Sequence, residues 1–244
     1  MSLMSKTVLI VIRHGNTFNK GDTLLRVGAG TDLALTEEGR LQGQKAGALL
    51  AQRGLLPSII YCAPLLRTKQ TAENIIKGAG DAATIGLETR NFLTEMDYGI
   101  DDGQPESDVT LRLGIVGSRD AITAQTSLSE LRERGKAFLK QWDDNLVLPE
   151  AWAHLRARVG QLKRDWADFG AEIAARFQGR VAAAVTSNGV ARFSTYLLDE
   201  GEPKPESLKL PTGAFAVFEH EGGAWRWTEW NGKPNPRAGE IPKL

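Results

Sequence analysis

The sequence lacks several features that would direct it to particular classes of protein. It has one cysteine, Cys62, so no disulfide can form within the chain and a reducing compartment is expected. Its 30 basic and 30 acidic residues cancel, whereas non-specific binding to nucleic acid or anionic membranes needs a basic excess. No apolar run approaches the roughly 20 residues of a membrane span, and the first residues carry no signal-peptide pattern. We therefore expect a cytoplasmic protein that binds neither nucleic acid nor membrane.

The order of the apolar segments predicts an α/β fold. Hydrophobic residues make up 41% of the 244 residues, enough for one domain with a substantial core. Short apolar runs typical of buried strands alternate with helical patterns, which indicates parallel strands with right-handed crossovers. These strands are predicted at 7–12, 58–62, 84–88 and 181–186. Residues 1–244 are expected to form a single domain with a helical cap inserted at about 100–150.

Several local predictions accompany this fold. A helix is expected over 35–54, with Thr36 as its N-cap and with Leu41, Ala48 and Leu49 on its buried face. Apolar alternation around Glu221-Gly222-Gly223 predicts a hairpin of 214–219 with 225–230, whose exposed edge is a candidate contact for a homodimer. The tail after Asn231 is expected to be loosely structured.

Two further local predictions concern aromatic and histidine side chains of the second half of the chain. Trp142, Trp152 and Trp166 are expected to anchor the core or the cap. His154 is interpreted as an ordinary helix residue, and His220 is placed at the bend of the hairpin, where an exposed and non-catalytic role is expected.

Polar residues follow three of the predicted strands at the point where each strand ends. The first strand runs into Arg13-His14-Gly15, the second leads to Arg67 in the first turn of a helix, and the fourth ends at Ser187-Asn188-Gly189. Because ligands of α/β sheets collect beyond the carboxyl ends of parallel strands, these groups are expected to meet. Arginine suits phosphate or carboxylate, and histidine can act as a nucleophile near neutral pH.

The loop 92–103 is acidic, with Glu95, Asp97, Asp101 and Asp102 within eight residues. Such a cluster can bind a metal ion, but the spacing matches no hard-cation motif such as the EF-hand. We favour the alternative, a solvated loop with one working carboxylate.

Taken together, these motifs resemble the histidine phosphatase superfamily, also called the phosphoglycerate mutase-like family. Arg13 to Thr17 (RHGNT), followed by Asn19, resembles the RHGxT signature, and Leu35 to Gly39 (LTEEG) is similar to the LTxxG segment. The segment IYCAPLLRTKQT at 60–71 is similar to the family segment that carries a phosphate-binding arginine, here Arg67. The loop 92–103 resembles the family loop that carries the catalytic acid, here Glu95.

The resemblance implies a three-layer α/β/α sandwich with a mostly parallel sheet and an antiparallel edge. It also implies that His14 attacks the phosphorus of a small phosphomonoester and that Glu95 serves as acid and then as base. Arg13, Arg67, Asn19, Asn188 and Gly189 would bind the substrate. Neither a metal ion nor another cofactor is implied.

Two departures from the family pattern affect these expectations. The family usually has Ser-His-Gly after the fourth strand, and its histidine donates to the phosphoryl group; here the aligned residue is Asn188. A neutral amide in that place is predicted to weaken transition-state binding by roughly 1–2 kcal/mol. Cys62-Ala63 also stands where the family prefers two serines. Neither His154 nor His220 is expected to substitute for the missing histidine.

Three functions stay open at this point. We favour a phosphohydrolase over a mutase, because Met96-Asp97-Tyr98-Gly99 stands where a glycolytic mutase would carry Arg-His-Tyr-Gly. The acidic side chains of Asp97, Asp101 and Asp102 are also expected to repel a highly anionic substrate. A third possibility is a weakly active or non-catalytic phosphate-binding member on the same fold. Specificity is expected to reside in the cap.

Overall fold

The protein is built around one six-stranded mixed sheet. A computed structural model describes residues 6–80 and 83–233. The strands follow the sequence β1 (Thr7–Arg13), β2 (Ile59–Cys62), β3 (Gly86–Thr89), β4 (Val181–Thr186), β5 (Phe215–Glu221) and β6 (Ala224–Gly232). Their order in the sheet is β3-β2-β4-β1-β5-β6. The first four are mutually parallel, and the hairpin β5–β6 adds an antiparallel edge, as the sequence predicted.

Helices cover both faces of this sheet. The helices are α1 (Glu37–Gln52), α2 (Leu66–Ala79), α3 (Glu106–Gly117), α4 (Leu128–Asn145), α5 (Arg156–Arg176) and α6 (Asn188–Ala191). Alternate residues of β1 point to opposite faces, so Ile10 joins a core with α1 and α2, whereas Leu9 joins a core with α5. The α/β/α layering expected from the sequence is confirmed.

Glycines bring α1 and α2 unusually close together. A Cβ on Gly47 would lie 2.0 Å from the carbonyl oxygen of Ile75, and one on Gly78 would lie 1.9 Å from that of Gln44. Thr36 caps α1 by accepting a hydrogen bond from the Gly39 N–H, as predicted. The predicted face of α1 was only partly correct: Leu49 is half-buried against the core but Leu41 is exposed, and the buried residues are Gly39, Gly43, Ala46, Gly47 and Leu50.

The exposed position of Leu41 shows why that prediction failed. Its side chain is 42% exposed, because the face of α1 that packs is defined by small residues that allow close approach. A hydropathy pattern gives glycine no weight.

The segment between β3 and β4 is helical, as expected for a cap. Helices α3 and α4 also pack through glycine, since a Cβ on Gly114 would lie 1.8 Å from the carbonyl oxygen of Leu131. Trp142, Trp152 and Trp166 are fully buried, which confirms their predicted role as core anchors. That residues 1–244 form a single domain stays a prediction.

The carboxyl-terminal hairpin forms as predicted, with one difference. His220 lies within β5, paired with Trp225, rather than at the bend. The strand β6 is the outer edge of the sheet, and the homodimer contact suggested for this edge stays a prediction. Most of the tail after Asn231 lies outside the described residues.

Two further features of the described residues concern Cys62 and the length of the helices. Cys62 ends β2 and is fully buried. Among the described residues, no helix is long and apolar enough to cross a membrane.

Candidate active site

A cavity of about 910 Å³ opens at the carboxyl ends of the parallel strands. Six of the seven site residues predicted from the sequence line it: Arg13, His14, Asn19, Glu95, Asn188 and Gly189. The seventh, Arg67, does not line the cavity but is fully buried close to His14. The topology therefore brings the predicted groups together, because β1, β2 and β4 are neighbours in the sheet.

His14 is held in one tautomer by the backbone. Its Nδ1 lies 2.8 Å from the carbonyl oxygen of Gly15, which can only accept, so Nδ1 carries the proton. The Nε2 atom is left without a hydrogen-bond partner in the described part of the chain. Burial, then the charges of Arg67 and Arg13, lower the pKa of His14 well below its ordinary value, although the bond to Gly15 acts in the opposite direction. His14 thus presents a neutral imidazole with a free Nε2.

The two arginines beside His14 are anchored by backbone carbonyls. Arg67 donates from Nη1 to the Thr31 carbonyl at 2.8 Å and from Nη2 to the Gly28 carbonyl at 3.1 Å. Arg13 donates from Nη1 to the carbonyl of Leu210 at 2.6 Å, and its buried Nε has no partner in the described regions. A guanidinium fixed in this way gives a positive charge of defined position, suited to an anion held against His14.

Glu95 occupies the same cavity and is nearly buried. Its Oε1 accepts from the Met96 N–H at 2.8 Å and its Oε2 from the Gly189 N–H at 3.0 Å. These two bonds fix the orientation of the carboxyl group. A Cβ on Gly189 would lie 1.9 Å from Oε1, so this glycine is required for Glu95 to sit where it does.

The residues that follow β4 divide their contacts between two sides of the site. In the parallel register Arg13 lies opposite Thr186, so His14 and Ser187 leave the sheet side by side. Ser187 is buried, and its hydroxyl accepts from Arg67 Nε at 3.3 Å. The Oδ1 of Asn188 accepts from the Leu210 N–H at 3.0 Å, which ties Asn188 to the loop that also holds Arg13. The donation by Asn188 to a phosphoryl group stays a prediction.

The other carboxylates of the acidic loop have structural partners. Asp101 is buried and binds Arg112 and the indole N–H of Trp152. Asp102 accepts from the N–H groups of Gly28 and Gly30. None of Asp97, Asp101 and Asp102 lines the cavity, and their expected repulsion of a highly anionic substrate stays a prediction.

Sequence reasoning missed most of the charge in the cavity. Seven cationic side chains line it: Arg13, Lys20, Arg26, Lys136, Lys140, Arg192 and Lys209. Five acidic side chains line it: Glu38, Glu95, Glu106, Asp143 and Asp144. The cavity is therefore net positive in a chain whose net charge is zero. The cap contributes residues of α3 and α4, and its role in specificity stays a prediction; no motif singled out Arg26 or Arg192.

Comparisons with known proteins agree with this geometry. The model of the histidine phosphatase superfamily (branch 1) matches residues 9–146. A 2,3-bisphosphoglycerate-dependent phosphoglycerate mutase of Clavibacter michiganensis subsp. michiganensis is 32% identical over 106 residues, which are 43% of this chain and 41% of that protein. An acid phosphatase of Mycobacterium tuberculosis is 40% identical over 95 residues, 39% of this chain and 42% of that protein. The matched region thus spans about two fifths of each relative.

Solved structures share the fold along most of the chain. The crystal structure of phosphoglycerate mutase from Bacillus anthracis superposes with a TM-score of 0.65 at 18% identity and covers 93% of each chain. A mycobacterial glucosyl-3-phosphoglycerate phosphatase gives a TM-score of 0.58 at 20% identity, over 92% of this chain and 98% of that chain. The family model covers more than half of the sequence and contains the histidine, both arginines and the acid described above. The chain belongs to the histidine phosphatase superfamily.

Proposed function

We propose that the protein is a phosphohydrolase that cleaves a small phosphomonoester through a phosphohistidine on His14. The observation that carries this proposal is the state of His14: Nδ1 is committed to the Gly15 carbonyl, the pKa is lowered, and the ring lines a cavity that also contains Glu95. A neutral imidazole with one free nitrogen is the form that can attack phosphorus.

In the first step the Nε2 lone pair of His14 forms a bond to phosphorus, and the bond from phosphorus to the ester oxygen breaks. The leaving oxygen takes a proton from the Glu95 carboxyl group and departs as an alcohol. This leaves Glu95 as a carboxylate, held in place by the N–H groups of Met96 and Gly189.

In the second step water replaces His14 on phosphorus. The Glu95 carboxylate removes a proton from water as its oxygen attacks, and the bond between phosphorus and Nε2 breaks to release inorganic phosphate. Arg13 and Arg67 supply positive charge beside the phosphoryl group in both steps, the electrostatic work that phosphoryl transfer requires. Since both guanidiniums are anchored before the substrate arrives, little reorganisation is needed.

The test is to trap the phosphorylated enzyme. Wild-type protein is mixed with an aryl phosphomonoester and the reaction is quenched in alkali. The masses of the protein and of its peptides are then measured by mass spectrometry. We expect one added phosphoryl group on the peptide that contains His14, and loss of both adduct and turnover in His14→Ala. His220→Ala serves as the matched control, because His220 lies on β5 away from the cavity, and it should retain both. Turnover that survives in His14→Ala would contradict the proposal.

The same protein preparation distinguishes two alternative functions from a phosphohydrolase. A mutase would isomerise a phosphorylated acid without net release of phosphate, which a phosphate assay combined with product analysis detects. A non-catalytic member would bind inorganic phosphate while no phosphohistidine accumulates.

A further inference from the structure

The acidic loop contains a carboxylate that the proposed chemistry does not use. Asp102 is half-buried, and its side chain binds the loop 28–31, which precedes α1. Its Oδ1 accepts from the Gly28 N–H at 2.9 Å and from the Thr31 hydroxyl, and its Oδ2 accepts from the Gly30 N–H at 2.8 Å. One carboxylate thus binds three donors of a single short loop.

The same loop binds the guanidinium of Arg67. The carbonyl of Thr31 accepts from Arg67 Nη1 at 2.8 Å, and the carbonyl of Gly28 accepts from Nη2 at 3.1 Å. Gly28 and Thr31 therefore give their donors to Asp102 and their carbonyls to Arg67. A Cβ on Gly28 would lie 2.4 Å from Asp102 Oδ2, so this contact requires a glycine. The loop 28–31 thus connects the carboxylate of Asp102 to the guanidinium of Arg67.

The position of the Arg67 guanidinium depends mainly on this loop. Arg67 is fully buried, and its remaining hydrogen bond within the described residues, from Nε to the Ser187 hydroxyl, is the longest at 3.3 Å. The two shorter bonds both end on carbonyls of the loop 28–31. A guanidinium fork matches phosphate oxygens only when its plane is correctly oriented. Whatever holds the loop therefore also orients Arg67.

The backbone ties the loop 28–31 to the segment that carries Glu95. The Ala29 N–H donates to the Met96 carbonyl at 2.9 Å, and the Met96 N–H donates to Glu95 Oε1 at 2.8 Å. Glu95 and the loop that binds the guanidinium thus share one support. These bonds do not involve the Asp102 side chain. A substitution of Asp102 is therefore expected to loosen the loop and to leave the fold intact.

We infer that Asp102 is a positioning residue, which orients the guanidinium of Arg67 toward the phosphoryl group through the loop 28–31. This inference rests on the proposed function for the role of Arg67. The charge of Asp102 acts in the opposite direction, because a carboxylate near the site weakens the binding of an anion. Replacing Asp102 should therefore weaken phosphate binding if its positioning role dominates, and strengthen phosphate binding if only its charge matters.

The experiment measures the binding of inorganic phosphate by calorimetric titration. Asp102→Ala is expected to bind phosphate about tenfold more weakly than the wild type, because Arg67 loses its fixed orientation. Asp102→Asn retains one oxygen for the Gly28 N–H and the Thr31 hydroxyl, so its affinity should lie between the two. Asp97→Ala is the matched control and should bind phosphate as the wild type does, since Asp97 is exposed and accepts from an N–H of its own loop. A phosphate affinity of Asp102→Ala equal to or above that of the wild type would overturn the inference.

A double-mutant cycle tests whether Asp102 acts through Arg67. In the Arg67→Ala background, Asp102→Ala should cause no further loss of phosphate affinity, because the group that it positions is already absent. A further loss of about threefold or more would overturn the positioning role. Thr31→Val removes only the hydroxyl that binds Asp102, and it should give a smaller loss that is likewise absent in the Arg67→Ala background. This variant provides the test if Asp102→Ala does not fold.

Turnover separates this inference from the catalytic proposal. If the wild type hydrolyses an aryl phosphate, Asp102→Ala should reduce kcat/KM about 10- to 100-fold. A wild-type kcat/KM in that variant would overturn the positioning role while leaving hydrolysis intact. If the wild type hydrolyses nothing but the phosphate affinities follow the expected pattern, the positioning role stands and the proposed reaction fails. A wild-type protein that does not bind phosphate would overturn both.

Discussion

The two ends of the cavity are held by different kinds of contact. At the His14 end the backbone fixes the polar groups: His14 through the Gly15 carbonyl, Glu95 through two N–H groups, and Arg67 through two carbonyls. At the other end Arg26 and Arg192 are held by carboxylates and indoles contributed by α3, α4 and the turn before α5, and Arg192 also donates to the carbonyls of Asn188 and Trp142. Backbone groups cannot be replaced by substitution, whereas carboxylates and indoles can. Substitution can therefore alter the contacts at the Arg26 and Arg192 end more readily than those at the His14 end.

The largest effect is expected from a substitution that disturbs the His14 end of the cavity without removing a reacting group. In Gly189→Ala the new methyl group collides with Glu95 and displaces its carboxylate, so turnover should fall by roughly 10²- to 10⁴-fold, the usual contribution of a general acid and base. Gly189 has an ordinary φ, so alanine adds no backbone strain there.

Gly160→Ala is the matched control for this substitution. Gly160 lies within α5, and a Cβ there meets nothing within 4 Å. It should leave turnover unchanged and raise helix stability slightly. Wild-type turnover in Gly189→Ala would show that the position of Glu95 is not critical.

The next-largest effect is expected on the stability of the fold, from a substitution near the Arg26 end of the cavity. Asp101→Ala removes the partner of Arg112 and of the Trp152 indole, which supports Arg26. We expect a loss of about 1–3 kcal/mol in the free energy of unfolding, measured by urea denaturation, because the buried Trp152 N–H and the partly exposed Arg112 lose their acceptor. Asp108→Ala, at an exposed position of α3, should cost little. Equal losses of unfolding free energy in the two variants would show that Asp101 does not have this structural role.

The pH profile sharpens the description of His14. Only neutral His14 can attack, and its pKa is lowered, so acid should inactivate the enzyme at a pH well below 6.5. With an ordinary pKa only about a tenth of the imidazole would be neutral at about pH 5.5. We therefore expect kcat/KM for an aryl phosphate to persist at that pH. A decline centred near pH 6.5 would mean that burial and the two arginines do not act on His14 as described.

The smallest effect is expected at Asn188, which joins the two ends. Asn188→Ala removes one neutral hydrogen bond to Leu210, whose carbonyl holds Arg13. A loss of about 1 kcal/mol corresponds to roughly fivefold in kcat/KM for the aryl phosphate. A loss above about a hundredfold would instead indicate a direct contact of Asn188 with the reacting phosphoryl group.

The sequence predicted the His14 end well because its signals are local. A run of β-branched residues marks β1, and parallel strands must bring Arg13, His14 and Asn188 to one edge. The same reasoning could not find Arg26 and Arg192. Each lies over an indole, Trp152 or Trp142, in a contact that only the folded protein creates.

The close packing of α1 against α2 escaped prediction for a different physical reason. Close approach of α1 to α2 depends on the absence of side chains at Gly47 and Gly78, and hydropathy does not record an absence. Leu41 was assigned to the buried face for that reason. The acidic loop was misread because the partners of Asp101 and Asp102 come from other segments.

The burial of Cys62 has a practical consequence for studying motion between the two ends. Its location at the end of β2 raises the pKa of the thiol to about 11, so almost no thiolate exists near neutral pH. Maleimide dyes and thiol-reactive nitroxide labels should therefore not react with Cys62. Cysteines introduced on the exposed face of α4 and on α1 could be labelled without first replacing the native one, and the distance between the two labels would report whether α4 moves when an anionic ligand enters.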